Sequence, residues 1–525
     1  MAFLSLLLFF FFSLLAIVRS QPSPPKGTLI DCGATIPSVI DGQQWLSDND
    51  FVSAGIPKTL HDPNPLPILQ TVRSFPLGDG SPKKFCYVVP VIRNSKYLVR
   101  TTYFYGGING RDLPPVFDQI IDGTRWSIVN TTEDFTRGMP SYYEGVFLAR
   151  VKTMSVCVAR NTYTDSDPFI SALEFILLGS SVYNSTDFAN YGLNLVARNS
   201  FGYGGPMIRF PDDPFDRYWE PFGESNTTTR STENISVSGF WNLPPLKVFE
   251  TALTTDQSKP MKIELQWPPI SLPNSIYYIA MYFADDRNSL LDSSRIFNIT
   301  MNGVEYFRNL NVTTAGVVVF ASRWPLSGLT NITLLPAEGS VVGPLINAGE
   351  IFNVLLLGGK THTRDVISLD RVKSSLRNPP PDWKGDPCLP RQYAWTGVTC
   401  SEESEGPRIR VVALNLSSMA LSGSISPGIA KLTALTNIWL GNNNLTGSIP
   451  DLSSLRMLET LHLENNQLSG VIPPSLGAIE SLRELFVQNN NLTGQVPSSL
   501  LVKPDLNLKM SPGNNFLPSQ PPPTT

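Results

Sequence analysis

The sequence predicts a mainly β protein: two β-sandwiches in tandem, followed by a short leucine-rich-repeat solenoid. Two observations carry this. From residue 28 to 360, short apolar or alternating runs rich in Val, Ile, Tyr and Phe are broken by Gly, Pro and Asn, with no helical period. From Val411 to Pro497 one phrase recurs every 23 or 24 residues, best seen as Leu458-x-x-Leu461-x-Leu463-x-x-Asn466-x-Leu468-x-Gly470-x-Ile472-Pro473. A repeat of that period is the mark of coils that cannot bury their apolar edge alone and therefore stack.

The chain opens on an apolar run, Phe3 to Val18, with small residues at the positions a signal peptidase reads in Val18-Arg19-Ser20. Residues 1–20 are expected to be a cleaved signal peptide, since a run of sixteen residues falls short of the roughly 20 a spanning helix needs. Secretion agrees with ten Asn-x-Ser/Thr sequons, at Asn130, Asn184, Asn226, Asn234, Asn298, Asn311, Asn331, Asn415, Asn444 and Asn491. A net charge of −4 with 16% charged residues leaves no basic footprint for nucleic acid.

Residues 28–200 and 201–360 are expected to form the two sandwiches. One polar turn after an aromatic strand, Tyr103-Phe-Tyr-Gly-Gly107, has its counterpart in Tyr282-Phe-Ala-Asp-Asp286. Residues 361–410 read as a linker and solenoid cap, 411–510 as repeats, and 511–525 as a disordered Pro-rich tail. Five cysteines are few for so long a secreted chain. Cys388 and Cys400 are natural partners. Among Cys32, Cys86 and Cys157 one is left over, and the sequence does not say which. No metal or cofactor is expected, because the three histidines, His61, His362 and His462, lack ligand spacing.

The residues resemble a known family. Ile30-Asp-Cys-Gly33, Val72-Arg-Ser-Phe-Pro76, Cys86-Tyr87, Tyr97-Leu-Val-Arg100, Pro168-Phe-Ile-Ser171, Arg209-Phe-Pro-Asp-Asp213 and Asp216-Arg217-x-Trp219 occur in order. Glu250-Thr-Ala252, Tyr282-Phe-Ala284 and Phe297-Asn-Ile-Thr-Met-Asn-Gly303 continue the series. Together they resemble the malectin-like extracellular region of plant receptor-like kinases and receptor-like proteins. The bridge Trp383-Lys-Gly-Asp-Pro-Cys388 and Trp395-x-Gly397-x-x-Cys400 is similar to the segment that caps the solenoid in such receptors, and its Gly-Asp-Pro-Cys element to one linked there to proteolytic release. The sequence departs from the kinases in having no Gly-rich phosphate loop and no catalytic-loop Asp.

The resemblance implies a non-enzymatic extracellular recognition protein, at the apoplast or the outer face of the plasma membrane. Its malectin-like part would sense a cell-wall glycan or a secreted peptide, and its repeats would dock a receptor kinase or other co-receptor. Relatives of the kinase-less type carry a transmembrane helix after the repeats. No second apolar run of spanning length is visible here, so attachment rests on an anchor beyond residue 525. A ligand-independent scaffold of the cell surface or wall is the rival reading.

Carbohydrate sites pair aromatic faces with a few placed polar groups. The turn residues Tyr103, Tyr105, Asn109 and Asp112, and their counterparts Tyr282, Asp285 and Asp286, are candidates on that ground, though the same residues suit core tyrosines and turn-forming acids. A glycan hydrolase would need two carboxylates at a set distance, and Asp212, Asp213, Asp285 and Asp286 fall in turns without singling out a pair.

In each repeat the residue between the second and third leucine positions faces outward from the concave strand. Trp439, His462 and Phe486 therefore stack in one column, with Asn437, Thr460 and Glu484 on one side and Gly441, Glu464 and Gln488 on the other. An exposed aromatic column favours a protein partner, or cover from the rest of the chain. Asn443, Asn466 and Asn490 are structural, placed to satisfy backbone groups at each turn; Met419 breaks the series in the first coil. The segment Leu506 to Met510 reads as a degenerate last coil.

Overall fold

A computed structural model describes residues 24–60, 66–78, 83–223, 228–230, 239–255, 261–285, 295–402 and 409–517. The expected signal peptide, Asp286, the sequons at Asn226 and Asn234, and most of the Pro-rich tail lie outside the described residues.

The two sandwiches are built on one sheet. Eleven strands form it. Its order runs Ser38–Ile40, Gln43–Ser47, Gly27–Asp31, Ala172–Leu177, Lys96–Tyr103, Ser141–Leu148, Tyr191–Phe201, Ala348–Leu356, Leu272–Phe283 and Val317–Gly328, with Glu220–Phe222 branching from Tyr191–Phe201. A four-stranded sheet of Lys84–Pro90, Thr153–Ala159, Phe117–Ile121 and Thr124–Val129 accompanies its first half. A second one, Ile263–Gln266, Asn331–Pro336, Arg295–Met301 and Val304–Val312, accompanies its other half. The boundary expected at residue 200 falls inside the strand Tyr191–Phe201, which belongs to the shared sheet.

Alternation along the strands explains the architecture. In Leu272–Phe283, Tyr277, Ile279, Met281 and Phe283 point into the core of the second sandwich, while Tyr278, Ala280 and Tyr282 point into a separate core on the opposite face. A strand buried on both faces reads as a continuous apolar run, as this one does. The opposite face is roofed by residues 178–190, 203–219 and 239–249, whose Tyr183, Trp219, Phe240, Val248 and Phe249 enter that core. The first sandwich closes on Val99, Tyr103, Leu173 and Phe175 from the shared sheet, against Tyr87, Phe117, Trp126 and Val156.

Two disulfides form, Cys86–Cys157 and Cys388–Cys400, and Cys32 is left buried and free. Cys86 and Cys157 are directly opposed on neighbouring antiparallel strands, a relation that depends on strand register.

The expected amphipathic stretch is the helix Thr363–Ser375, which buries Leu369 and Val372 against the first coil. Asp365 receives Arg410 at 2.8 and 3.1 Å and the Val411 N–H at 3.0 Å, fixing the helix to the first repeat. Trp383 and Trp395 stack at 5.2 Å beneath the solenoid. The cap also docks on the first sandwich. Lys84, almost fully buried, donates to the carbonyls of Asp386 and Leu389. Tyr393 donates to Asp118 at 3.0 Å and to the Arg160 carbonyl at 2.7 Å. Gly385 has φ +70°, and a Cβ there would lie 2.8 Å from the Cys86 sulfur, so the Gly-Asp-Pro-Cys turn sits flat on the disulfide only because residue 385 has no side chain.

The solenoid is a parallel sheet of Val411–Asn415, Asn437–Trp439, Thr460–His462, Glu484–Phe486 and Asn507–Lys509, preceded by the antiparallel Val398–Cys400. Asn507–Lys509 is the degenerate coil expected at the end. The asparagine series behaves as a ladder: Asn466 accepts from Leu445 N–H and donates to the Leu440 and Leu463 carbonyls. Asn490 repeats this one coil on, and Asn514, not singled out from the sequence, extends it.

Candidate functional site

Two sheet neighbours part company at the junction of the sandwiches. Ser141–Leu148 and Tyr191–Phe201 pair only through Gly145 with Asn194 and Val146 with Leu193. Beyond that pair the second strand carries a bulge between Leu195 and Ala197. An open cleft of about 510 Å³ lies in the gap. Met139, Tyr142 and Tyr143 line it from the first sandwich, Leu195 to Asn199 with Tyr218, Glu220, Pro221 and Phe222 from the junction, and Pro268, Pro269 and Ile270 from the second. The lining is mostly apolar and aromatic with a few polar groups, the composition of a ligand site.

Its polar groups are held in place. Tyr142 donates to Glu220, and its ring meets Tyr218 edge-on at 5.2 Å. Tyr143 donates to the Asn130 carbonyl at 3.2 Å and accepts the Asn130 N–H at 2.9 Å. Burial, and then the Glu220 carboxylate, push the Tyr142 hydroxyl up; burial raises Tyr218 too. Both hydroxyls are therefore neutral hydrogen-bonding groups. The cleft thus offers fixed hydroxyls together with the carboxylates of Asp134, Glu144 and Glu220.

A buried ionic row braces the cleft. Glu174, Arg100, Glu144, Arg198 and Glu350 come from five consecutive strands of the shared sheet, alternating in sign. Arg100 reaches Glu144 at 2.8 Å and Glu174 at 2.9 Å; Arg198 reaches Glu144 at 2.7 Å and Glu350 at 2.8 Å. Tyr183 and Tyr282 both donate to Glu350, at 2.5 and 2.6 Å. Burial pushes Glu350 up, but Arg198 and Arg217 outweigh it and hold the carboxyl below its ordinary value. The motif Arg209 to Trp219 seals the row: Asp216 takes Arg209 at 3.0 Å through both oxygens, and Asp213 takes Arg217 at 2.8 Å and the Trp219 indole at 2.7 Å. Tyr218 presents its ring to Arg100, whose guanidinium lies 3.5 Å from its centroid. Cleft wall and buried row are thus one construction.

The sequence-predicted sugar residues sit elsewhere. Tyr103 is fully buried in the first core, edge-on to Phe117, Tyr143 and Phe169, with its hydroxyl on Gln119. Tyr282 is fully buried on Glu350, and Tyr105 is buried with its hydroxyl on Asn109 and the Arg111 carbonyl. Asp285 is buried beside Arg295 at 3.2 Å. These rings and this acid are spent inside the fold, since a strand that ends in a polar turn still sends alternate side chains inward. Asn109 is half-buried and Asp112 exposed, on the turn after the strand. Of the other acids weighed for hydrolysis, Asp213 is buried in the motif just described and Asp212 pairs with Lys247 at 2.7 Å.

On the solenoid the column is where the spacing puts it. Trp439, His462, Phe486 and Lys509 are register partners on successive strands. His462 stacks on Phe486 at 4.1 Å and bonds Glu484 at 3.1 Å, while the Lys509 ammonium covers Phe486 at 4.0 Å. All three aromatic side chains remain partly exposed. Beside them Glu464 occupies the space over Gly441, where a Cβ would meet its carboxylate at 2.3 Å. Glu464 Oε2 and Gln488 Oε1 are buried acceptors without a hydrogen-bond donor. Asn130, Asn184, Asn311, Asn331, Asn415, Asn444 and Asn491 are exposed, and Asn298 is half-buried.

Comparison with known proteins gives a consistent picture. The malectin-like domain model matches residues 30–354, and the leucine-rich repeat model matches 457–479 and 481–501. A probable leucine-rich-repeat receptor-like serine/threonine-protein kinase of Arabidopsis thaliana is 33% identical over 473 residues, covering 83% of this chain and 47% of the kinase. A second from the same plant is 32% identical over 457 residues, covering 83% and 50%. The chain thus spans about half the length of the curated relatives it matches. Among solved structures, the ANX2 ectodomain from Arabidopsis thaliana has a similar fold, with TM-score 0.53 and 15% identity over 63% of this chain and 97% of that one. Another, with TM-score 0.50 and 18% identity over 63% and 96%, is the plant peptide RALF23 in complex with FER and LLG2.

Proposed function

As the chain belongs to the malectin-like family and carries leucine-rich repeats, we propose that it is a non-enzymatic recognition protein of the plant cell exterior. Its malectin-like part senses a cell-wall carbohydrate or a secreted peptide, and its repeats dock a protein co-receptor. The observation that carries this reading is the cleft between the sandwiches. It joins rings and prolines to a small number of fixed hydroxyls and carboxylates, which suits sugar faces and extended peptides alike. A relative in fold is seen with a peptide and a second protein, which supports a peptide ligand and a protein partner.

The concave column is the docking surface in this reading. Its partly exposed rings supply the apolar centre of an interface, flanked by the half-buried polar side chains of Glu464 and Gln488. The test is capture from plant membranes with and without added wall oligosaccharides or secreted peptides. Ligand-dependent partners support the reading. Partners that bind equally without ligand favour a scaffold, and released sugar product would favour an enzyme.

A further inference from the structure

The sequon Asn415-Leu416-Ser417 does not lie on the flank of the solenoid. Asn415 is the register partner of Trp439 on the neighbouring parallel strand, so the two side chains leave the same concave face about 4.8 Å apart along the sheet. It is therefore the first member of the column that continues through Trp439, His462 and Phe486. Asn415 is exposed and Trp439 is partly so. The Asn415 backbone is tied down by its N–H to the Gly397 carbonyl at 2.7 Å, and its Oδ1 accepts the Ser417 N–H at 3.2 Å. A sugar chain leaving this amide starts beside an indole face. Further along the same face lie the half-buried polar side chains of Glu464 and Gln488.

We propose that Asn415 carries an N-glycan that lies along the concave face, stacking a sugar ring on Trp439 and donating hydroxyls to Glu464 and Gln488. Attachment forms a bond from Asn415 Nδ2 to the anomeric carbon of the first sugar. It breaks the bond from that carbon to the pyrophosphate of a lipid-linked oligosaccharide donor, and the nitrogen gives up one proton. Transfer to the unfolded chain precedes coil formation, so the position of Asn415 on a strand is no obstacle. Sugar rings offer apolar C–H faces to an indole and hydroxyls to its flank, which matches a column of rings edged by half-buried polar side chains. The glycan covers the Trp439 end of the column. A protein partner then meets the His462, Phe486 and Lys509 end and the glycan itself.

The test uses the full chain secreted from plant cells. Glycopeptide mass spectrometry reads occupancy at Asn415, and hydroxyl-radical footprinting reads exposure of Trp439. Expected are an occupied Asn415 and a several-fold faster oxidation of Trp439 in Asn415→Gln and in Ser417→Ala, which leaves the asparagine in place. Trimming the wild-type glycans to a single sugar should act in the same direction, so the assay does not depend on either variant being secreted. Asn444→Gln, on a different sheet of the solenoid, should leave Trp439 unchanged. An unmodified Asn415, or a Trp439 whose oxidation is the same with and without the glycan, overturns the proposal. Neither result bears on partner capture, which is read separately by pull-down.

Discussion

Replacing Arg100 by Met should damage this protein more than any surface change, and in a pH-dependent way. The side chain is fully buried and holds Glu144 and Glu174 at 2.8 and 2.9 Å, with Asp216 at 3.5 Å. Met fills much of the volume but leaves no cation. Glu144 keeps Arg198 and Asp216 keeps Arg209, whereas Glu174 has only Arg100 as an ion-pair partner among the described residues. Burial already pushes the Glu174 carboxyl up, against the pull of Arg100. Without the guanidinium it takes a proton instead of staying charged in the core. Holding a carboxyl of ordinary value near 4.5 protonated at pH 7 costs about 3 kcal/mol. That agrees with the roughly 3–5 kcal/mol lost when one partner of a buried pair is removed. At pH 5 the same protonation costs under about 1 kcal/mol. The assay is urea unfolding at both pH values, with hydrogen exchange of Lys96–Tyr103 and Ser141–Leu148 to localise the change. Arg100→Met with Glu174→Gln should recover a large part of the loss at pH 7. A loss below about 1 kcal/mol at pH 7, or one as large at pH 5, would refute the ionic row as the brace of the sheet.

Other outcomes follow from the same geometry. Asp122, whose Oδ1 accepts the Ser155 N–H at 2.7 Å, is pushed to about 6 by burial, against the lowering effect of the Ser155 bonds. The folded state therefore holds a proton that the unfolded state lacks between about pH 4 and 6, and stability should rise as pH falls through that window. Asp122→Asn keeps the acceptor and should flatten this part of the melting-temperature profile; a slope identical to wild type would reject the assignment. Gly385→Ala should loosen the cap from the first sandwich, seen as faster proteolysis between residues 376 and 398 with the solenoid intact. Met139→Asp and Ile270→Asp change exposed cleft residues and should abolish ligand-dependent capture without lowering secretion; unchanged capture would move the site elsewhere. Phe486→Ala should weaken co-receptor capture, and full retention would reject the column as the docking surface.

How much was legible depends on how local each feature is. The solenoid was readable because one coil repeats: period, outward column and asparagine ladder all follow from a spacing of 23 or 24 residues. The ladder's Asn514 was missed because the last coil has Asp505 and Met510 at two leucine positions and carries its asparagine one residue later than the repeat spacing. The β character of residues 28–360 was equally plain, but the single sheet was not, since Tyr191–Phe201 finds its partner Ala348–Leu356 about 150 residues later. The sugar residues were read from turns, whereas Tyr103 and Tyr282 belong to strands whose facing is set by tertiary packing. The cleft draws on four separated segments, and none of them is unusual in sequence. Arg209 to Trp219 was visible as a pattern without a reason; its reason is the buried row that it closes.

The shared sheet also sets a constraint on how the chain can be made. Until Ala348–Leu356 has been synthesised, Tyr191–Phe201 has no partner on one side, and the first sandwich offers an open edge of unpaired backbone groups. Neither half can finish alone, so folding waits for nearly the whole malectin-like region. Fragments cut between the sandwiches should accumulate on chaperones or aggregate, while an intact 24–360 segment should not. The folding unit of this chain is therefore the pair of sandwiches joined through one sheet, and neither sandwich is a unit by itself.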